Sequence, residues 1–406
     1  MPETVDVDTQ LSVSDRKALS VWHESIRHCD DGHYEVAISF KQYPPDLLDN
    51  FEIGKQRLSS LRTRLMRDAA LRDMYNQSME NLFDNDYAEE IPCEEVNSMP
   101  MWYLPHHAVV NPNKPGKVRV VFDCSAKHCG KSLNDVVMQG PDLTNKLVGV
   151  LLRFRQERVA IMTDIQSMFH QVRVTPRDRD LLRFLWWRDG DLDCEPSVCR
   201  MKVHLFGGVW SPSCCNFVLR RAAEDHRGQY DQDVVDTILN SFYVDDCLKS
   251  VDDVERAVCI VQQMCQLLAK GGFRLTKWIS NSRDVMLAIP EQDWSNEVQK
   301  LDLQHHSLPA ERALEVRWDV ETDTLRFAVS AREKPMTRRG MLSVVSSVYD
   351  PLGFMNPFVL PAKRMVQDLC KRKVWWDDTL SVEDCQSWRR WLEDLKKLDQ
   401  LSISRC

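Results

Sequence analysis

Two adjacent carboxylates interrupt an otherwise apolar run at Phe242-Tyr243-Val244-Asp245-Asp246-Cys247-Leu248, and this interruption constrains the chain more than any other feature. Apolar residues on both sides of a polar pair fit a tight hairpin with both aspartates at the turn. A second run, Arg158-Val159-Ala160-Ile161-Met162-Thr163, reads as a buried strand that ends in Asp164 and continues into Ile165. A carboxylate at the end of a core strand is costly unless it faces a cation or a cleft. Turn chemistry accounts for the paired aspartates taken alone, and a helix N-cap accounts for Asp164 taken alone. Together, one strand-end aspartate beside two on a hairpin supplies hard oxygen ligands for two Mg²⁺ ions held roughly 3.5–4 Å apart.

The rest of the sequence says what such a hairpin can belong to. The chain has 406 residues, 43% hydrophobic and 28% charged, which makes it globular and long enough for two or three sub-domains. The N-terminal MPETVDVDTQ is acidic and lacks the apolar core of a secretory signal, and no apolar run reaches membrane-spanning length. An intracellular location is therefore expected (cytoplasm, virus-like particle or nucleus), with neither secretion nor a membrane partner. The net charge of −8 does not exclude a nucleic-acid partner, because it is unevenly placed. Residues 1–100 hold 10 Lys+Arg against 20 Asp+Glu, whereas 331–373 hold nine basic residues against three acidic. Electrostatic footprints are made by such local patches. Fourteen cysteines occur without any Cys-x-x-Cys, so reduced, packed thiols are expected rather than zinc or disulfides.

Leu58, Leu61, Leu65, Leu71, Tyr75 and Met79 recur at helical spacing, with the intervening arginines on solvated faces. Asp84 to Glu95 is an acidic, turn-rich joint. Strands are expected at Val118–Phe122, Val159–Thr163 and Leu181–Trp187, and a short helix at Lys146–Arg155. An amphipathic helix from Val254 to Leu268 is capped by Asp252 or Asp253 and ended by Gly271-Gly272. Further helices are expected at about 361–373 and at 382–397, the latter starting from Ser381 and Asp384. Strands and helices alternate without a regular βαβ rhythm, which predicts an α+β sheet with helices on one face. The expected divisions are 1–95, an acidic lead-in; 96–290, the core; and 291–406, a C-terminal region.

Several stretches in order resemble one family. Tyr243-Val244-Asp245-Asp246 with Asp164 upstream resembles the palm of a reverse transcriptase. WYLPHHAVVNPNKPGKVRVVFDCSAK (102–127), SLNDVVMQGPDL (132–143), DIQSMFHQVRV (164–174) and LRFLWW (182–187) are similar to the polymerase region of BEL/Pao-type long-terminal-repeat retrotransposon polyproteins. The resemblance implies a right-hand polymerase built on an antiparallel palm sheet, with fingers and palm in 96–290 and a thumb or connection in 291–406. It implies an RNA-directed DNA polymerase that joins deoxynucleoside triphosphates to a DNA primer on an RNA template, using two Mg²⁺ (or Mn²⁺) ions.

Residue by residue, Asp164 and Asp245 resemble the carboxylates that hold both metals, Asp246 the third, and the Ile165 carbonyl a further ligand. Arg119 resembles the fingers arginine on the incoming triphosphate, with Lys114 as its partner lysine. Phe169 stands where an aromatic steric gate excludes a 2′-hydroxyl. Phe206 and Gly207 resemble the motif on the nucleotide and template base, and Lys277 resembles the lysine after the long palm helix. Tyr243 and Trp318 fall at primer or template positions.

Two departures stand out: Val209-Trp210 puts an indole near the expected template path, although core packing accounts for Trp210 as it does for Trp186 and Trp187, and Glu315 replaces the usual glycine of the primer-grip hairpin. The stretch 335–378 resembles the region after the polymerase, sometimes called a Pao peptidase. No Asp-Thr-Gly or Asp-Ser-Gly supports aspartic-protease chemistry, and no ribonuclease H carboxylate set follows before Cys406. The competing expectation is a decayed copy that binds nucleic acid without catalysis. The sequence does not fix an oligomeric state.

Overall fold

The β-branched runs become strands and the amphipathic stretches become helices, and the result is a mixed α+β chain with several small, mostly antiparallel sheets. The computed structural model describes residues 11–92, 100–110, 116, 118–303, 306–314, 316–327, 334–398 and 401–406. Lys114 and Glu315 therefore lie outside the described residues. The chain divides into two compact units that interleave in sequence.

The first unit takes the described residues of Met1–Thr144 with Gln166–Gln229 and Gln266–Arg274. Its helical lead-in is two helices, Phe51–Arg67 and Ala69–Asp84, rather than one. Asp68 breaks the run: its carboxylate accepts the Leu71 N–H at 2.9 Å and caps the second helix. Strands His106–Val110 and Val118–Phe122 form a hairpin. Arg183–Trp186 and Ala88–Glu90 both pair with Ser197–Met201. Helix Ser211–Asp225 buries most of its surface.

The second unit takes Asn145–Ile165, Tyr230–Cys265 and Leu275–Cys406. Its main sheet is antiparallel, in the order Phe242–Tyr243, Asp246–Val251, Val159–Ile165, Leu275–Ser280. Helix Leu147–Phe154 packs on the Asp246–Val251 strand. Helix Val254–Ala269 begins where Asp253 accepts the Arg256 N–H at 2.7 Å, as the capping pattern predicts. A second antiparallel sheet joins Ala310–Ala313, Val316–Asp319, Thr324–Arg326 and the C-terminal strand Ser402–Ser404.

Helices Arg338–Ser346, Asn356–Lys371 and Val382–Lys397 surround a core that includes Trp388, Trp391 and Leu395. The middle helix starts five residues before its expected position, because Pro357 fits a first helical turn, which needs no N–H donor there. The described cysteines are free thiols, and among the described residues no helix is long and apolar enough to cross a membrane.

Candidate active site and its relatives

Register brings the separated carboxylates of the second unit together. Asp246 opens its strand directly opposite Asp164. Side chains of such an antiparallel pair point to the same face of the sheet. The hairpin turn is Val244-Asp245, so only one of the two expected turn aspartates occupies it; Asp246 is already in the ladder, opposite Tyr243. The Ile165 N–H donates to the Asp245 carbonyl at 2.9 Å, which ties the turn to the end of the central strand. The Ile165 side chain is buried.

Val244 has a φ of 58°, a left-handed conformation that a β-branched residue adopts only under strain. Strain of this kind costs on the order of 1–3 kcal/mol and gathers at functional sites.

On its other side Asp164 pairs with Thr276. The ladder is irregular between Thr276 and Ile279, and Lys277 within it has a φ of 58°. A bulge re-aims the side chain it carries. The Lys277 ammonium lies 2.7 Å from Asp164 Oδ2. Sequence reasoning gave Lys277 to the nucleotide and missed this ion pair. The available signal was a single cation in the apolar strand Leu275–Ser280.

The donors are all hard oxygens, the right chemistry for Mg²⁺ or Mn²⁺. Among the described residues, however, no three His, Cys, Asp or Glu side chains converge as a metal site. The observed arrangement pairs Asp164 with an ammonium.

The other expected residues are placed as follows. Arg119 is exposed on the first unit's hairpin, opposite Val109. Phe169 is 8% exposed, with the ring of Phe206 (47% exposed) 4.5 Å away between centroids. Gly207 has a φ of 104°, and a Cβ there would collide with the Phe122 carbonyl, so only glycine fits.

Trp210 is fully buried, in keeping with core packing, and donates its indole N–H to His204 Nδ1 at 2.9 Å. Trp318 was expected at a primer or template position. Its ring is fully buried edge-on to Phe154, 5.1 Å between centroids, and its N–H donates to Asp323 at 2.9 Å. Both indoles lie in core because bulky aromatics bury large areas when their N–H finds a partner.

Residues 337–406 match the family model for the Pao retrotransposon-like RNaseH-like domain. That description adds a ribonuclease H-like relationship to a stretch expected from sequence to be thumb or connection. No curated protein matches. Among solved structures, the chain is similar to the foamy viral protease–reverse transcriptase in complex with double-stranded DNA. The TM-score is 0.50 at 14% identity, over 79% of this chain and 47% of that one. It is also similar to the foamy viral protease–reverse transcriptase in complex with an RNA/DNA hybrid. There the TM-score is 0.49 at 12% identity, over 95% of this chain and 44% of that one. The chain thus spans less than half the length of either viral chain. The Pao match and the fold shared with the first of these structures bear out the resemblance of this chain to the reverse-transcriptase region of BEL/Pao-type retrotransposon polyproteins.

Proposed function

We propose that the chain is the RNA-directed DNA polymerase module of a BEL/Pao-type retrotransposon, arranged as fingers, palm and thumb or connection. The observation that carries this reading is the register of Asp246 against Asp164, with Asp245 at the adjoining turn. Carboxylates far apart in sequence meet at one end of one antiparallel sheet, the placement that nucleotidyl transfer needs. What two bound divalent ions supply is activation of the primer 3′-hydroxyl and neutralisation of the leaving pyrophosphate.

Asp164 and Asp245 are the direct ligands in this reading, and Asp246 adds negative charge beside them. The Lys277 ammonium pairs with Asp164, and would be free to meet phosphate if a divalent cation took over that carboxylate. Arg119 and Lys114 would bind the triphosphate by charge-assisted hydrogen bonds. Tyr243 would face the primer or template beside the carboxylates. The partners are an RNA template, a DNA primer and deoxynucleoside triphosphates.

A second reading is a segment that binds nucleic acid without catalysis. The lack of three convergent carboxylates among the described residues favours it. Primer extension separates the two. With Mg²⁺ or Mn²⁺, the purified chain extends a DNA primer on an RNA template and Asp245→Asn abolishes extension. Equal extension by both proteins would sink the polymerase assignment.

A further inference from the structure

A shallow, open groove of about 370 Å³ lies in the C-terminal helical region, lined by Arg339, Leu342, Ser343, Ser346 and Trp376. Four contacts hold its aromatic wall. The Arg338 guanidinium carbon sits 3.9 Å from the centroid of the Trp376 ring, and Arg338 Nη1 donates to the Val374 carbonyl at 2.6 Å. The Arg339 backbone N–H donates to the Trp376 carbonyl at 3.0 Å. The Arg339 guanidinium grips Asp377 through two bonds of 2.8 and 2.9 Å. The indole is therefore fixed, backed by a cation, and still 39% exposed. Its neighbour Trp375 is 75% exposed.

We propose that this groove binds an unpaired base of single-stranded nucleic acid by stacking on Trp376. A preset aromatic plane backed by guanidinium gains stacking without paying to order a loop. The Ser343 and Ser346 hydroxyls can each donate or accept, so they suit any base edge. The Arg338 guanidinium behind the ring and the exposed Lys363, Arg364 and Lys373 of the same helical region suit a polyanion.

Arg339 contributes little to phosphate binding, because Asp377 already answers its charge; its part is to pin the loop. A protein segment fits less well, since Leu342 and Trp376 are the apolar members of a lining otherwise made of Arg339, Ser343 and Ser346. A duplex fits less well too, because its bases already stack on each other. The proposal takes its ligand class from the nucleic-acid reading above and uses none of the Asp164, Asp245 and Asp246 carboxylates.

The test is fluorescence anisotropy of the whole chain with a fluorescein-labelled oligothymidylate, and with a blunt duplex of equal length, at one salt concentration. Divalent ions and nucleotides are omitted, so a chain that cannot polymerise still reports on the groove. Trp376→Ala is expected to weaken oligothymidylate binding about tenfold, with Trp376→Phe keeping most of it and duplex binding unchanged. Ser343→Glu, which removes no packing, is expected to weaken it as well by placing a carboxylate in the groove. This pattern in a chain without primer extension would keep the groove and discard the polymerase. Wild-type oligothymidylate affinity in Trp376→Ala and Ser343→Glu, or equal losses on single strand and duplex, would overturn the proposal. The first of these outcomes would leave the groove to a protein segment.

Discussion

The ammonium of Lys277 lies 2.7 Å from Oδ2 of Asp164, whose cross-strand neighbour on the far side is Asp246. Asp164 therefore sits between a cation and a second carboxylate, and the cation has the contact. Any divalent ion entering here competes with Lys277. The Lys277 side chain is 57% exposed, so the competition is modest, within the roughly 0.2–1 kcal/mol of exposed pairs. Lys277→Ala should tighten Mn²⁺ binding, by up to about fivefold, in calorimetric titration of the nucleotide-free chain. Lys277→Arg should not. Unchanged affinity in Lys277→Ala would show that the ammonium does not guard the carboxylates.

A second ion pair holds the C-terminal strand in place. Arg405 is fully buried, and its guanidinium meets Asp323 at 2.7 and 2.9 Å and the Arg158 carbonyl at 2.9 Å. Asp323 also accepts the Trp318 indole N–H. Removing the carboxylate strands a buried cation and an indole donor, whereas removing the cation leaves a carboxylate that can turn toward water. Asp323→Ala should therefore cost about 3–5 kcal/mol in chemical denaturation, and Arg405→Met clearly less. The reverse order would mean that Arg405 acts through packing.

Two buried imidazoles make stability depend on pH. His106 donates from Nε2 to the Leu185 carbonyl at 3.0 Å and accepts the Tyr75 hydroxyl at Nδ1. His204 accepts the Trp210 N–H at Nδ1. Burial lowers both to about 4, below the ordinary 6.5. As pH falls through 6.5 toward 4 the unfolded chain takes up protons that the folded chain refuses, so stability falls with pH in that window. The unfolding midpoint should drop between about pH 7 and pH 5, and His106→Gln should flatten the drop. An identical slope in the variant would exclude His106 as a cause.

The elements most legible in the sequence were those whose signal is local. A β-branched run specified the central strand, and Asp253 and Ser381 marked helix starts by cap chemistry. The strand that ends in Asp164 and the hairpin that carries Asp245 were legible because a strand end and a turn are both local, but the place of Asp246 in the ladder was not. What is set by distant residues was not. Strand Ser402–Ser404 joins its sheet through a buried Arg405 whose partners lie far back in the chain. The burial of Trp318 was not legible, because alternation says which residues share a face but not that Phe154 covers that face. The Lys277 contact depends on a bulge, and Trp376 on an arginine nearly forty residues earlier; neither leaves a periodic trace.

Under the proposed polymerase reading, Phe169 would set the choice between deoxynucleotides and ribonucleotides, and its burial sharpens the test. At 8% exposure beneath Phe206, it presents little ring to any ligand while Phe206 stands outside it. A gate needs only the edge that a 2′-hydroxyl would strike, so burial of the rest of the ring rigidifies it. Phe169→Val removes that edge and part of a core contact together. Its stability loss should stay below the ~3–5 kcal/mol of truncation to alanine. Phe206→Ala removes an exposed ring and should leave the melting temperature almost unchanged while uncovering Phe169. If Phe169 is the gate, Phe169→Val raises ribonucleotide over deoxynucleotide incorporation in primer extension, and Phe206→Ala lowers total incorporation without changing that ratio. If it is core alone, Phe169→Val melts earlier and loses both activities in proportion. An unchanged sugar ratio in a folded Phe169→Val would remove the physical reason for preferring DNA synthesis.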